Sequence, residues 1–351
     1  MKINIVTVFK TQNCGSFLQA LALKEILSSM GNDVYFLNYD LGIRELKCKI
    51  LNVIKCCLCF RFKRALDILK QDKDFKKHQK MLEISLNDES VDFNVFGSDT
   101  LWNFNDNFFS ENALFFTGSA LKKSCYTYSI SVGSTSKEIF KKLPEVIKNI
   151  QKFKRIAVRD EHTKDVLSEV YCGSQIVKTV DPTMLLDKEY YINCFLKANF
   201  PYEKYVLIYH FGVIAEKTWN ALKSFAESRN LTLLSIGLTG DLPVPCIRFS
   251  PTNFISAFFN AEYVFTNTFH GCVFSTIFNK QFVTDGISKK KIEGFLEEFS
   301  LLDRVIHESD NIGMILTKPI DYENVNNLVY QARKSSIDYL KEIISNEENH
   351  E

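Results

Sequence analysis

The sequence predicts an α/β protein made of two Rossmann-like domains, and three observations carry that prediction. Strand-like and helix-like segments alternate along almost the whole chain, as parallel sheets with crossover helices require. The strand-like segments are near-continuous apolar runs without strict alternation, the pattern of strands covered on both faces. At 351 residues the chain is longer than one hydrophobic core usually serves, so two domains are expected.

Taken in order, residues 2–9 read as a buried strand rich in Ile and Val, followed by the polar loop TQNCGS. FLQALALKEILSSM carries apolar side chains on the helical period, and Gly31 closes it. DVYFLNY is the next strand, completing a βαβ unit whose crossover should be right-handed. A basic, helical stretch follows. VDFNVFG (91–97) is a strand ending on Gly97, Ser98 and Asp99, and CYTYSIS (125–131) is another, ending at Gly133. RIAVR (155–159) leads into the helix DEHTKDVLSEV, and IVKTVDPTMLL (176–186) reads as a strand at the end of the first domain.

A second series opens at YVLIYHFG (205–212) and continues through helix KTWNALKSFAESR and strand LTLLSIG. TNFISAFFN is a helix with a Thr or Asn cap, AEYVFTN a strand, CVFSTIFN a helix and QFVTDG a strand. From Asn324 onward the pattern is an amphipathic helix with a polar end. The expected division is therefore 1–190 with a basic insertion at 44–80, then 191–323, then a terminal helix at 324–351 that packs back on the first domain.

Composition excludes several classes. Hydrophobic residues make up 46%, too many for a disordered chain, and the 30 Phe read first as core filling. A net charge of +1 carries no nucleic-acid signature. It hides a local excess: between Arg44 and Lys80 stand twelve Lys or Arg and four acids. Ten cysteines in so long a chain suggest a reducing compartment. Cys56, Cys57 and Cys59 cluster, but no Cys/His pair at finger-like spacing joins them, so no metal site is expected. The apolar N-terminal segment is too short for a signal peptide and no apolar run of about 18 residues follows, so a cytoplasmic location is expected.

Ligands of open α/β sheets bind beyond the carboxyl ends of strands. Four such junctions are rich in polar residues and glycine: Thr11–Ser16, Gly97–Asp99, Ser129–Gly133 and Thr266–Gly271. In TNTFHG, Thr268 suits an N-cap, and the helix N-terminus behind it attracts anions through its N–H groups and macrodipole. His270 there either meets a phosphate or carries a proton, or else packs against the sheet. Asp99 at a strand end is a general base for a hydroxyl or a plain helix cap. Trp102 is a sugar platform or core. Arg159 grips a carboxylate or phosphate, or pairs with Asp160 or another acid as a surface bridge. Gly15 allows close backbone approach to a ligand.

The segments NCGSFLQALAL (13–23), FGSDTLWN (96–103), YSISVG (128–133), AVRDE (157–161), VDPTMLL (180–186) and TNTFHGCVFSTIFNKQFV (266–283) occur in that order. Together they resemble the polysaccharide pyruvyl transferase family. The resemblance implies two Rossmann-like domains facing across a cleft, similar to the GT-B glycosyltransferase architecture, with the acceptor on the first and the donor on the second. It implies transfer of a pyruvyl group from phosphoenolpyruvate to two saccharide hydroxyls as a cyclic ketal, in bacterial capsule, exopolysaccharide or cell-wall glycan synthesis. On this carry-over His270 is the acid and Asp99 the base. Arg159, Thr268, Phe269 and Gly271 hold the donor, and Asn13, Gly15, Gly97, Ser98, Trp102 and Ser131 line the acceptor side. No cofactor besides phosphoenolpyruvate as donor is implied.

One departure stands out. Some members carry arginine two residues before the histidine, where this chain has Thr268, a hydrogen-bonding group without charge. Donor binding then leans on Arg159 and the helix dipole, with Lys289, Lys290, Lys291 or Arg304 as compensating cations. Two alternatives stay open: a glycosyltransferase using a nucleotide sugar, and a non-catalytic saccharide-binding relative. The expected partner is a saccharide, free or lipid-linked, and no nucleic acid. The stretch 44–80 mixes apolar and cationic residues as an interfacial helix does, which suits peripheral contact with the inner membrane face. The other reading of it is a helical excursion with its apolar side on the first domain.

Overall fold

A computed structural model describes the chain apart from residues 40–50, 52–53, 55–57, 59–61, 86–88, 238–241, 287–289, 308–309 and 350–351, and shows residues 63–65, 67 and 85 by backbone only. Cys56, Cys57, Cys59, Lys289 and part of the basic stretch thus lie outside the described residues. The chain divides into two units, Met1–Leu185 with Arg333–Glu351, and Leu186–Ala332.

In the first unit, β1 (Lys2–Val6), β2 (Asp33–Leu37), β3 (Ile84–Ser85), β4 (Phe93–Asp99), β5 (Ser124–Ile130), β6 (Ala157–Val158) and β7 (Val177–Lys178) form a parallel sheet in the order 3-2-1-4-5-6-7. Ile3, Ile5, Phe93 and Val95 are buried, as a sheet covered on both faces demands. Helix α1 (Cys14–Ser29) has a continuously buried first half, Cys14 to Leu23, which explains why its sequence is apolar around the whole circumference. Helix α2 (Phe62–Gln79) and helix α3 (Glu161–Ser168) belong to the same unit.

The second unit repeats the plan. Strands β8 (Tyr205–Tyr209), β9 (Thr232–Ile236), β10 (Cys246–Ile247), β11 (Tyr263–Thr266) and β12 (Gln281–Thr284) pair in parallel in the order 10-9-8-11-12. Helix α4 (Phe269–Ile277) joins β11 to β12. The last helix, α5 (Tyr322–Glu348), starts in the second unit and ends in the first.

Several elements differ from expectation, each for a local reason. The first strand stops at Val6, because the Thr7 hydroxyl turns to bond the Ser98 carbonyl. VDPTMLL is a 3-10 turn, Pro182–Met184, because Asp181 caps it by accepting from Thr183 N. The helix at 251–260 is capped by Ser250 with Pro251 in its first turn, not by Thr252 or Asn253. The first unit ends at Leu185, short of residue 190, and residues 322–332 of α5 group with the second unit.

Candidate functional site

Both sheets reverse their strand order once, between β1 and β4 and between β8 and β11. The carboxyl ends of the strands at such a switch point are where open α/β sheets hold ligands.

At the first switch point the polar groups form one hydrogen-bonded belt. Buried Gln19 donates to Thr7 Oγ1 (3.0 Å) and accepts from Ser98 N (3.1 Å), while Thr7 Oγ1 donates to Ser98 O (2.9 Å). Asn13 caps α1, accepting from Gly15 N and Ser16 N. Ser16 Oγ then donates to Asp99 Oδ2 (2.7 Å), and Thr100 N donates to Asp99 Oδ1 (2.7 Å). The Asp99 carboxylate is half-buried and held at φ +92°, in the region that favours glycine. Gly97 ends the run at φ +137°, where a Cβ would lie 1.9 Å from the Tyr128 carbonyl oxygen, so no other residue fits.

The belt continues inward. Ser131 N donates to Asp99 O, and Ser131 Oγ donates to Asp160 Oδ2 (2.8 Å), whose other oxygen caps α3 at Thr163. Arg159 is buried, and its Nη1 donates to the equally buried Asp181 Oδ2 (3.2 Å). Ser98 Oγ donates to the same oxygen (3.3 Å). This corrects the surface-bridge reading of Arg159: its carboxylate partner is Asp181, and both side chains are buried inside the fold. Trp102 is corrected likewise. It is wholly buried, its Nε1 donates to Phe116 O (2.8 Å), and its ring meets Phe153 edge-on at 5.6 Å, so it is core and not a sugar platform.

At the second switch point the TNTFHG loop is fixed by two threonines. Thr266 Oγ1 bonds Tyr209 O (2.6 Å) and Thr268 N (3.1 Å), and lies 3.0 Å from Thr268 Oγ1. Thr268 Oγ1 in turn accepts from Gly271 N (2.9 Å), capping α4. A Cβ on Gly271 would lie 2.0 Å from Thr266 Oγ1, which is why glycine follows the histidine. The Thr268 hydroxyl and the Gly271 N–H are therefore committed to the cap, a correction to their expected contact with a donor. What they deliver is the positive end of α4 at the strand ends, with half-buried His270 in its first turn beside the Phe269 ring.

Sequence reasoning missed a pair at this place. His210, directly after β8, is buried, with Nε2 3.1 Å from Asp285 Oδ2, directly after β12. The ring stacks on Phe265 at 5.3 Å, and among the described residues neither His210 Nδ1 nor Asp285 Oδ1 has a hydrogen-bond partner. Between them Asn267 clasps Phe211, accepting from its N (2.9 Å) and donating to its O (2.8 Å). The signal was available: both residues follow strand ends, the rule that singled out His270 and Asp99. Arg304 is not a compensating cation. It is buried, donating from Nη1 to Ile315 O and Lys318 O and pairing with Asp303. Lys290 and Lys291 open the helix Lys290–Glu298.

Asp99 and Arg159 thus belong to the first unit and His270 to the second. Among the described residues, no group of three or more His, Cys, Asp or Glu could hold a metal ion, and no helix is long and apolar enough to cross a membrane.

Comparison with known proteins bears on both fold and family. The UDP-GlcNAc 2-epimerase of Neisseria meningitidis, solved with UDP-GlcNAc, superposes with a TM-score of 0.53 at 12% identity, over 97% of this chain and 100% of that one. The Methanocaldococcus jannaschii UDP-GlcNAc 2-epimerase gives 0.53 at 11% identity, covering 98% and 99%. The Anabaena protein HepE, in complex with UDP and glucose, gives 0.51 at 11% identity and 100% of both chains. At such identities the likeness shows the fold alone, the GT-B-like pairing of two Rossmann-type sheets. No curated protein matches the sequence. A family model described as polysaccharide pyruvyl transferase matches residues 13–284.

Proposed function

This chain belongs to the polysaccharide pyruvyl transferase family, and from that premise we propose that it moves a pyruvyl group from phosphoenolpyruvate onto two hydroxyls of a saccharide. The observation that carries the reading is the capped N-terminus of α4 at the second switch point, with His270 in its first turn. A trianionic donor needs positive potential where it binds, and a helix N-terminus supplies it without a bound metal.

The chemistry assigns each group a task. Protonation of C3 of the enol phosphate by His270 makes C2 cationic. An acceptor hydroxyl adds to C2, giving its proton to the Asp99 carboxylate, which Ser16 and Thr100 keep oriented. The C2–O bond to phosphate breaks, phosphate departing with the bonding pair, and the neighbouring hydroxyl closes the ketal with loss of its proton. The steps need proton transfer and charge neutralisation, so no cofactor beyond the donor is proposed. Buried His210, kept oriented by the half-buried Asp285 carboxylate, is a second imidazole at this switch point, and we assign it to supporting the donor's charge. The product would serve capsule, exopolysaccharide or cell-wall glycan assembly.

A second reading, glycosyl transfer from a nucleotide sugar, is favoured by one observation. Thr268 stands where some members have arginine, and its hydroxyl is occupied by the cap, so the loop carries no fixed guanidinium. The same helix N-terminus suits a diphosphate.

Thermal shift decides between them. A ligand at 100 times its Kd adds about 2.7 kcal/mol, several degrees for a unit of this size. Phosphoenolpyruvate is expected to raise Tm in the wild type and not in His270→Ala, while UDP-, GDP- and CMP-sugars do nothing. Stabilisation by a nucleotide sugar alone would replace pyruvyl transfer with the second reading.

A further inference from the structure

Leu51, Ile54 and Leu58 are helical, and Phe62, Leu66 and Leu69 lie on α2. All six are exposed, Leu58 at 75%. On α2 itself, Phe62, Leu66 and Leu69 recur at four and three residues, within an arc of about 60° on a helical wheel, the stripe that a soluble helix normally turns to its core. In α2 the other end does that work. Phe75 is buried, Gln79 Nε2 donates to Phe9 O (3.0 Å), Asp72 accepts from Gln12 (2.7 Å), and the His78 ring packs on Phe17 at 6.1 Å. The rear of α2 is therefore anchored on the first unit while its front presents apolar side chains to solvent. A row of exposed large hydrophobics of this kind marks an interaction surface.

Charge selects the partner. Residues 44–80 hold twelve Lys or Arg against four acids, and Lys70, Lys73, Lys77 and Lys80 are exposed on α2 or directly after it. Pairing with a second copy would bring two cationic stripes together, which repels. An uncharged apolar partner would leave the lysines without counter-charge. A bilayer bearing anionic head groups meets both needs, burying the apolar stripe at the acyl boundary while its phosphates face the lysines. We propose that this stripe is a docking surface for an anionic lipid bilayer. The inference rests on exposure and charge and is independent of the pyruvyl-transfer reading.

Flotation of the full chain with vesicles tests it, comparing phosphatidylglycerol mixed into phosphatidylcholine with phosphatidylcholine alone, at low salt. The protein should float with the anionic vesicles only. Binding should fall about tenfold or more in Leu58→Glu/Leu66→Glu and in Lys70→Glu/Lys73→Glu, since each change removes one of the two attractions. All four positions are exposed, so Tm and any shift with phosphoenolpyruvate should stay at wild-type values in both variants. No flotation at low salt would overturn the proposal, as would flotation indifferent to the leucine changes. Self-association that the leucine changes abolish, without vesicle binding, would overturn it in favour of a second copy.

Discussion

At Asp181 a single carboxylate serves three residues. It neutralises Arg159, accepts from Ser98 Oγ, and caps the Pro182–Met184 turn through Thr183. Because both charges of the Arg159–Asp181 pair are buried, removing one leaves the other uncompensated, at a cost of about 3–5 kcal/mol. Asp181→Ala is expected to lose that much stability in chemical denaturation. A loss below about 1 kcal/mol would mean that the guanidinium has another outlet, such as a donor carboxylate, and would favour the donor-binding role expected of Arg159. Asp99 differs in kind. Its backbone sits in a region that costs about 1–3 kcal/mol for a non-glycine residue, and such strain concentrates at functional positions.

Among the elements, α4 is the one whose geometry serves chemistry most directly. Its second helical turn packs on the sheet, with Cys272, Val273, Phe274 and Ser275 buried, so its N-terminus cannot drift from the ends of β8 and β11. On intrinsic propensity, Gly271→Ala would stabilise a helix by about 1 kcal/mol. Here the added methyl meets Thr266 Oγ1 at 2.0 Å, and Thr266 is itself pinned to Tyr209 O. Overpacking of about 1–3 kcal/mol wins, so the variant should be less stable than wild type and should bind the donor more weakly. An increase in Tm would show that the loop yields, and with it the account of why glycine follows His270.

For the molecule as a whole, α5 is the element that closes the first unit late in the chain. Arg333 Nε donates to Met184 O, Ser336 Oγ accepts from Val180 N, and Tyr339 OH donates to Thr127 O. Tyr339, Leu340, Ile343 and Ile344 are buried. The first unit therefore cannot complete its core until the second has been traversed. Leu340→Ala should destabilise by about 2–5 kcal/mol in denaturant titration, whereas Tyr330→Ala, at a position 58% exposed, should stay within about 0.5 kcal/mol. Equal effects at both positions would contradict the placement of α5.

The alternation of strands and helices, the two parallel sheets and the capped turn before His270 were legible from sequence, because hydrophobic period, glycine and cap residues act over a few neighbours. Even there a cap slipped, from Thr252 to Ser250, since several hydroxyls in a row satisfy the same local rule. What tertiary structure alone decided is which strand-end groups neutralise one another. Arg159 finds Asp181 and His210 finds Asp285 only because strand order brings separate strand ends together, and Trp102 is core only because Phe116 and Phe153 close over it. Sequence determined where polar groups would gather, at the carboxyl ends of strands. Sheet order and burial determined their partners, because electrostatic pairing depends on distance in space and not along the chain.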